Sequence, residues 1–250
     1  MGRNRWPSTL FDGPNRKYTA SSPPQTAPAR VGDSFPVRFR ALIISYVIES
    51  SEDLAHYIAL DIEARGLKRW RPHYRLTQRV TYFQWLLRRC EYWQNCRRDA
   101  IGQLVGAWLR LRTYFLAERL GFTIPRNCFG PGLSIAHPGT LVVNPGVRVG
   151  SHCRIHQGVT LGQTSRGTPT LGDRVLIGAN ACVLGPVTVS SDAAVGAGSV
   201  VVRDVPAGVT VAGVPARQVS NTGSAGHLLT RLSYDQSDAS DTAWGSDDAS

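Results

Sequence analysis

The sequence holds six histidines, and His137, His152 and His156 fall within one stretch of twenty residues. An imidazole titrates close to neutrality, so it can take a proton from a hydroxyl nucleophile or ligate a metal ion. Base catalysis asks for one imidazole in a cleft, whereas zinc asks for several ligands converging on a point. The five cysteines (Cys90, Cys96, Cys128, Cys153 and Cys182) are odd in number, scattered and without a CxxC pair. Reduced thiols are expected, with no structural zinc site and no disulfide framework.

The histidines lie in a stretch with a period of six. Val149, Ile155 and Leu161 are in phase, followed after a break by Leu171, Ile177, Val183, Val189, Val195 and Val201. Gly150, Gly162, Gly172, Gly178 and Gly196 directly follow these aliphatics. The fifth place stays small or thin, as in Cys153, Val159, Ala181, Ala193 and Ser199. Neither a helix nor an alternating strand has that period, but a solenoid of short strands and turns does. The break between Leu161 and Leu171 holds Gln163 to Pro169, which a solenoid accommodates by extruding a loop.

Four regions follow. Residues 1–35, rich in Pro, Ser, Arg and Thr, are expected to be disordered, as is the acidic tail 220–250. Residues 36–121 read as helical. Ser50 or Ser51 caps a first helix with Leu54, Tyr57, Ile58 and Ile62 on one face. A second helix buries Val80, Phe83, Leu86, Leu87 and Cys90. A third carries Ile101, Leu104, Val105, Trp108 and Phe115 and stops at Gly121. The aromatics of this region are expected in the core or at subunit contacts. Residues 122–219 form the solenoid. The net charge of +10 concentrates between Arg65 and Arg126 and is read as a solvated helix surface, since no nucleic-acid motif accompanies it. No apolar run reaches membrane-spanning length and no signal-peptide core is present, so a cytoplasmic protein without a transmembrane segment is expected.

The run Gly132-Leu133-Ser134-Ile135-Ala136-His137-Pro138-Gly139-Thr140, then Ile155-His156-Gln157-Gly158-Val159-Thr160-Leu161-Gly162, resembles the serine acetyltransferase branch of the hexapeptide-repeat acyltransferases. Ile177-Gly178-Ala179, Val195-Gly196-Ala197-Gly198 and Ala212-Gly213-Val214-Pro215-Ala216-Arg217 continue the likeness. The resemblance implies a mainly β fold, a left-handed parallel β-helix preceded by the α-helical region. It further implies a homotrimer, or a hexamer of paired trimers, with active sites between subunits. Acetyl-CoA is the implied co-substrate, with no permanently bound cofactor.

His137 falls on the family's catalytic histidine, so the resemblance implies that it is the general base. Ala179 and Ala197 match positions whose backbone contacts the pantetheine arm, beside Gly178 and Gly196. Arg217 lies where a basic side chain could meet the nucleotide phosphates. Solenoid turns alone also account for the glycines. His156, Gln157 and Thr168 are expected on the acceptor side, although His156 reads equally well as a polar corner residue; His152 reads as surface.

The departures concern the acceptor. Ala136 and Phe122 stand where the family has aspartates, and Gly167 and Thr168 stand where it has arginine and histidine. A zwitterionic amino acid loses its ion-pair partners there, and His137 with His156-Gln157-Gly158-Val159-Thr160 resembles family members that acetylate sugars, so the resemblance implies a neutral sugar hydroxyl of a glycan or its precursor as acceptor. Serine O-acetylation in cysteine biosynthesis is the alternative. Two further readings are a metalloenzyme like the γ-class carbonic anhydrases and a non-catalytic trimeric scaffold. His137, His152 and His156 occupy different places in their hexads, which argues against convergence on one Zn²⁺.

Overall fold

Every in-phase aliphatic from Val149 to Val201 is at most 2% exposed, so the hexad is the packing rule of the molecule. The fifth-place residues Cys153, Val159, Ala181, Ala193 and Ser199 are buried with them. Each fully buried Val, Ile or Leu contributes about 1.5–3 kcal/mol relative to exposure. A one-residue slip would turn this whole set outward.

The computed structural model describes residues 46–97 and 99–225. The assignments for residues 1–35 and for most of the tail lie outside the described residues. Four helices come first: α1 (Ser51–Glu63), α2 (Tyr74–Thr77), α3 (Arg79–Cys96) and α4 (Ala100–Leu120). Then come β1 (Phe122–Thr123), β2 (Ser134–Ile135), β3 (Leu141–Val143), β4 (Arg148–Val149), β5 (Arg154–Ile155), β6 (Thr160–Gly162) and β7 (Thr170–Leu171). The series continues with β8 (Leu176–Ile177), β9 (Cys182–Leu184), β10 (Thr188–Val189), β11 (Ala194–Val195), β12 (Val200–Val201), β13 (Thr210–Ala212) and β14 (Arg217–Ser220).

The strands wind into three sheets: β1-β3-β6-β9-β12, β4-β7-β10 and β2-β5-β8-β11-β13-β14. All pairings are parallel except β13 with β14. The architecture is the expected left-handed parallel β-helix preceded by helices. The Gln163–Pro169 insertion leaves the coil as a tight turn, closed by reciprocal backbone bonds between Thr164 and Gly167.

A solenoid exposes unpaired backbone groups on its first coil. Here α1 and α3 cover them. The Asp61 carboxylate accepts from Leu133 N–H at 2.8 Å, and Gln84 Nε2 donates to Leu133 O. Arg88 donates to Phe129 O at 2.8 Å and to Gly130 O at 2.6 Å. At the other end the antiparallel β14 closes on β13. The chain stays packed beyond the expected boundary at residue 220. Ser224 is fully buried, with its N–H on Asp192 O and its hydroxyl on Arg174 O, because two polar contacts fix it against the last coil.

The first helix is capped as expected: Ser50 Oγ accepts from Asp53 N–H at 3.0 Å. The second buries the five residues named for it. The third differs. α4 ends at Gly121 in the left-handed region, but its buried face is Gly102, Gly106, Leu109 and Leu120. Ile101, Leu104, Trp108 and Phe115 point outward. Leu109 packs on that face with Tyr82, Leu86 and Cys90 of α3, so the bulky stripe is turned away.

Candidate active site

Each coil runs from the β2-β5-β8-β11-β13 sheet through a corner into the β3-β6-β9-β12 sheet. That corner is occupied in turn by Ala136-His137, His156-Gln157, Gly178-Ala179, Gly196-Ala197 and Ala212-Gly213. Backbone bonds stack them: Ala136 N–H to Ile155 O, His156 N–H to Ile177 O, Gly178 N–H to Val195 O and Gly196 N–H to Val211 O. The two imidazoles head this column, with ring centroids 6.2 Å apart and planes at 59°. His137 is exposed and His156 half-buried.

Below the histidines the corner positions Gly178, Ala179, Gly196, Ala197, Ala212 and Gly213 are all small. A Cβ at Gly178 would lie 2.6 Å from Ala197 N, and one at Gly196 would lie 3.0 Å from Ala212 Cβ. Coil stacking therefore demands glycine at 178 and favours it at 196, and the result is a strip of small side chains along the corner. From His156 to Ala212 it spans three coil spacings, about 14 Å. Arg217 is exposed at its foot, paired in register with Ala212, with Nη1 on Ala216 O at 3.0 Å. The expected co-substrate residues Gly178, Ala179, Gly196, Ala197 and Arg217 thus share one face with His137.

Of the acceptor-side residues, His156 and Gln157 join His137, and Thr168 does not within one chain. Thr168 lies on the next corner, where its hydroxyl donates to Gly146 O at 3.1 Å. It follows the extruded turn, which projects from the far end of β6. Gln157 packs against Gly139, and its Oε1 is buried without a hydrogen-bond partner. His152 occupies the corner between β4 and β5, against Gly132, away from the other two imidazoles. Among the described residues no three His, Cys, Asp or Glu side chains come together as a metal site. Cys153 lies in the core, where burial pushes its thiol up to about 12.

Two arginines were not anticipated here. Arg65, just beyond α1, donates from Nη1 to Ile135 O, and Arg154 on β5 donates from Nη1 to Ser134 Oγ at 3.3 Å. Burial lowers the pKa of both, and the Arg154 charge adds to the effect on Arg65. Burial, then Arg154, then His137 hold the His156 imidazole below its ordinary pKa, favouring the neutral ring. Strand alternation sets residues 154 and 156 on the same side of the coil, a signal present in the sequence. Arg65 gave none, because it opens a region rich in basic residues, with Lys68, Arg69 and Arg71 close behind it.

The family described as hexapeptide repeat of succinyl-transferase matches residues 170–203. Serine acetyltransferase of Helicobacter pylori is 37% identical over 131 residues, covering 47% of this chain and 77% of that protein. Serine acetyltransferase of Synechococcus elongatus is 43% identical over 103 residues, covering 40% of this chain and 42% of that protein. The chain thus spans about two fifths of the Synechococcus relative. Among solved structures, serine acetyltransferase of Brucella abortus in complex with coenzyme A aligns with a TM-score of 0.52 at 29% identity, over 69% of this chain and 70% of that one. Another serine acetyltransferase complex with CoA gives a TM-score of 0.54 at 28% identity, over 68% and 71%.

Proposed function

Because the chain belongs to the serine acetyltransferase-like branch of the hexapeptide-repeat acyltransferases, we propose that it transfers acetyl from acetyl-CoA to a hydroxyl. The observation that carries this reading is the imidazole pair at the head of the strip of small residues running to Arg217. His137 takes the proton of the acceptor hydroxyl, whose oxygen attacks the thioester carbonyl. The tetrahedral intermediate then collapses and expels the thiolate of coenzyme A, which recovers the proton from His137. The pantetheine arm lies along Gly178, Ala179, Gly196 and Ala197, with the nucleotide phosphates near Arg217. Thiol release from acetyl-CoA tests the reading: His137→Ala should lower kcat by about 10²–10⁴-fold and leave coenzyme A affinity unchanged. Near-normal turnover would move the base to His156.

Serine, the acceptor in the names of the relatives, is the first acceptor reading. A sugar hydroxyl of a glycan or its precursor is the second, and one specific observation favours it. Phe122 is 3% exposed and packs edge-to-face on Phe83 at 5.1 Å, so no charged group stands there. Ala136 and Gly167 are uncharged, and Thr168 is engaged with Gly146. The ammonium of serine gains no carboxylate from these places, and desolvating it is costly. Comparison of kcat/KM for L-serine with a panel of sugars separates the two readings.

The active unit is proposed to be a trimer. His137 is exposed in one chain and Thr168 sits on another corner, so a neighbouring subunit would complete the site. Exposed Val142 and Val202 offer apolar contact. Light scattering that found an active monomer would contradict this.

A further inference from the structure

Arg65 and Arg154 converge from different elements on two adjoining residues, Ile135 and Ser134. Arg65 reaches from the end of α1 to Ile135 O, and Arg154 reaches from β5 to Ser134 Oγ. His137 follows Ile135 by two residues, and His156 follows Arg154 by two. Neither arginine has a carboxylate partner among the described residues, where the ion pairs are Arg88 with Asp61 and Glu91, Arg97 with Asp99, and Arg174 with Asp192. Asp61, the acidic residue beneath this edge, is taken up by Arg88 and Leu133 N–H. Arg65 Nε and Gln157 Oε1 are buried without partners.

Two guanidinium groups held together, partly out of water and without a counter-ion, repel each other. An oxyanion placed between them relieves that repulsion, and the planar guanidinium fork suits a carboxylate. We propose that Arg65 and Arg154 form an anion subsite on the acceptor side, so that the acceptor is a hydroxyl compound carrying a carboxylate. The proposal rests on the acetyltransferase reading for the identity of the bound molecule. It replaces the neutral acceptor expected from the sequence. Serine and an acidic sugar such as a uronic acid share this chemistry.

Calorimetric titration of the coenzyme A-loaded protein with two matched pairs tests the subsite: L-serine against serinamide, and glucuronate against glucose. The carboxylate member of one pair should bind at least about tenfold more tightly than its uncharged counterpart. Arg154→Gln and Arg65→Gln should each remove about tenfold to a hundredfold of that preference, as expected for one charge-assisted hydrogen bond. Arg154→Lys should restore part of it, which separates lost charge from lost folding. A preference in the serine pair identifies an amino acid, and one in the glucuronate pair identifies an acidic sugar. No preference in either pair, or one that survives both glutamine variants, overturns the proposal. Thiol release is scored separately: carboxylate binding without release counts against the acetyltransferase reading alone, and turnover of neutral acceptors only counts against the subsite alone.

Discussion

Arg88 Nε donates to Asp61 Oδ2 at 2.8 Å in a joint where the arginine side chain is fully buried and the aspartate side chain 5% exposed. The same guanidinium reaches Glu91 at 3.0 Å and two backbone carbonyls of the first coil. This arginine ties α1 and α3 to the solenoid edge and satisfies acceptors that water cannot reach. Burial opposes its charge, but the two carboxylates outweigh that and raise its pKa. Arg88→Met should cost about 3–5 kcal/mol, because it leaves two buried carboxylates unpaired. Urea unfolding measures the loss, and a cost below about 1 kcal/mol would show that the helices are held by apolar packing alone.

The strip of small residues makes a separate claim. Ala197 is exposed beside Gly196, so a larger side chain there meets solvent rather than core. Ala197→Tyr should weaken coenzyme A binding by about tenfold or more, since ligand and side chain compete for the same space. The melting temperature should stay within about 2 °C of the parent, as for other surface substitutions. Titration calorimetry and thermal melts check both. Undiminished affinity would place the pantetheine arm elsewhere.

The solenoid was legible in the sequence because its core is one-dimensional. Each hexad buries one aliphatic in a fixed place, so Val149 through Val201 could be assigned without long-range information. Gly178 and Gly196 followed from the same period, whereas Ala179 and Ala197 were singled out by the family resemblance. What joins distant segments was not legible. The Asp61–Arg88–Glu91 cluster spans two helices, and no local pattern marks a charged residue as buried. Arg65 meets Ile135 across seventy residues, and only the fold shows that meeting. Periodicity placed the α4 stripe on one face but did not say which face the neighbouring helices would cover. Thr168 was placed correctly within its loop, yet a loop's position says nothing about which corner of which subunit it serves.

That stripe yields a prediction about assembly. Ile101, Leu104, Trp108, Leu111 and Phe115 recur at three- and four-residue steps and are 54–73% exposed. This is the spacing of a helix seam, so α4 is expected to join trimers into a hexamer. Leu104→Asp with Trp108→Asp should shift the mass measured by light scattering from hexamer to trimer. Stability within the trimer should be unchanged, because neither side chain is in the core. An unaltered mass would assign the stripe another role.

The last prediction concerns pH. Burial, then the Arg154 charge, then His137 depress the His156 pKa, so the ring stays neutral to lower pH than a free histidine. Removing the cation takes away one cause of that depression, so Arg154→Gln should raise the His156 pKa; the direction follows because a nearby positive charge disfavours the imidazolium. If the neutral ring is needed beside the base, the acid limb of kcat/KM moves upward with it. Protonation of His156 at lower pH would put an imidazolium next to His137, making His137 a weaker proton acceptor. Histidine NMR titration reads the ring directly, and the pH–rate profile reads its consequence. An upward NMR shift with an unmoved acid limb would make His156 a bystander. A His156 midpoint that stayed in place in the variant would mean that the Arg154 guanidinium is screened from the ring, and the short path from Ser134 to His156 would then carry no electrostatic coupling.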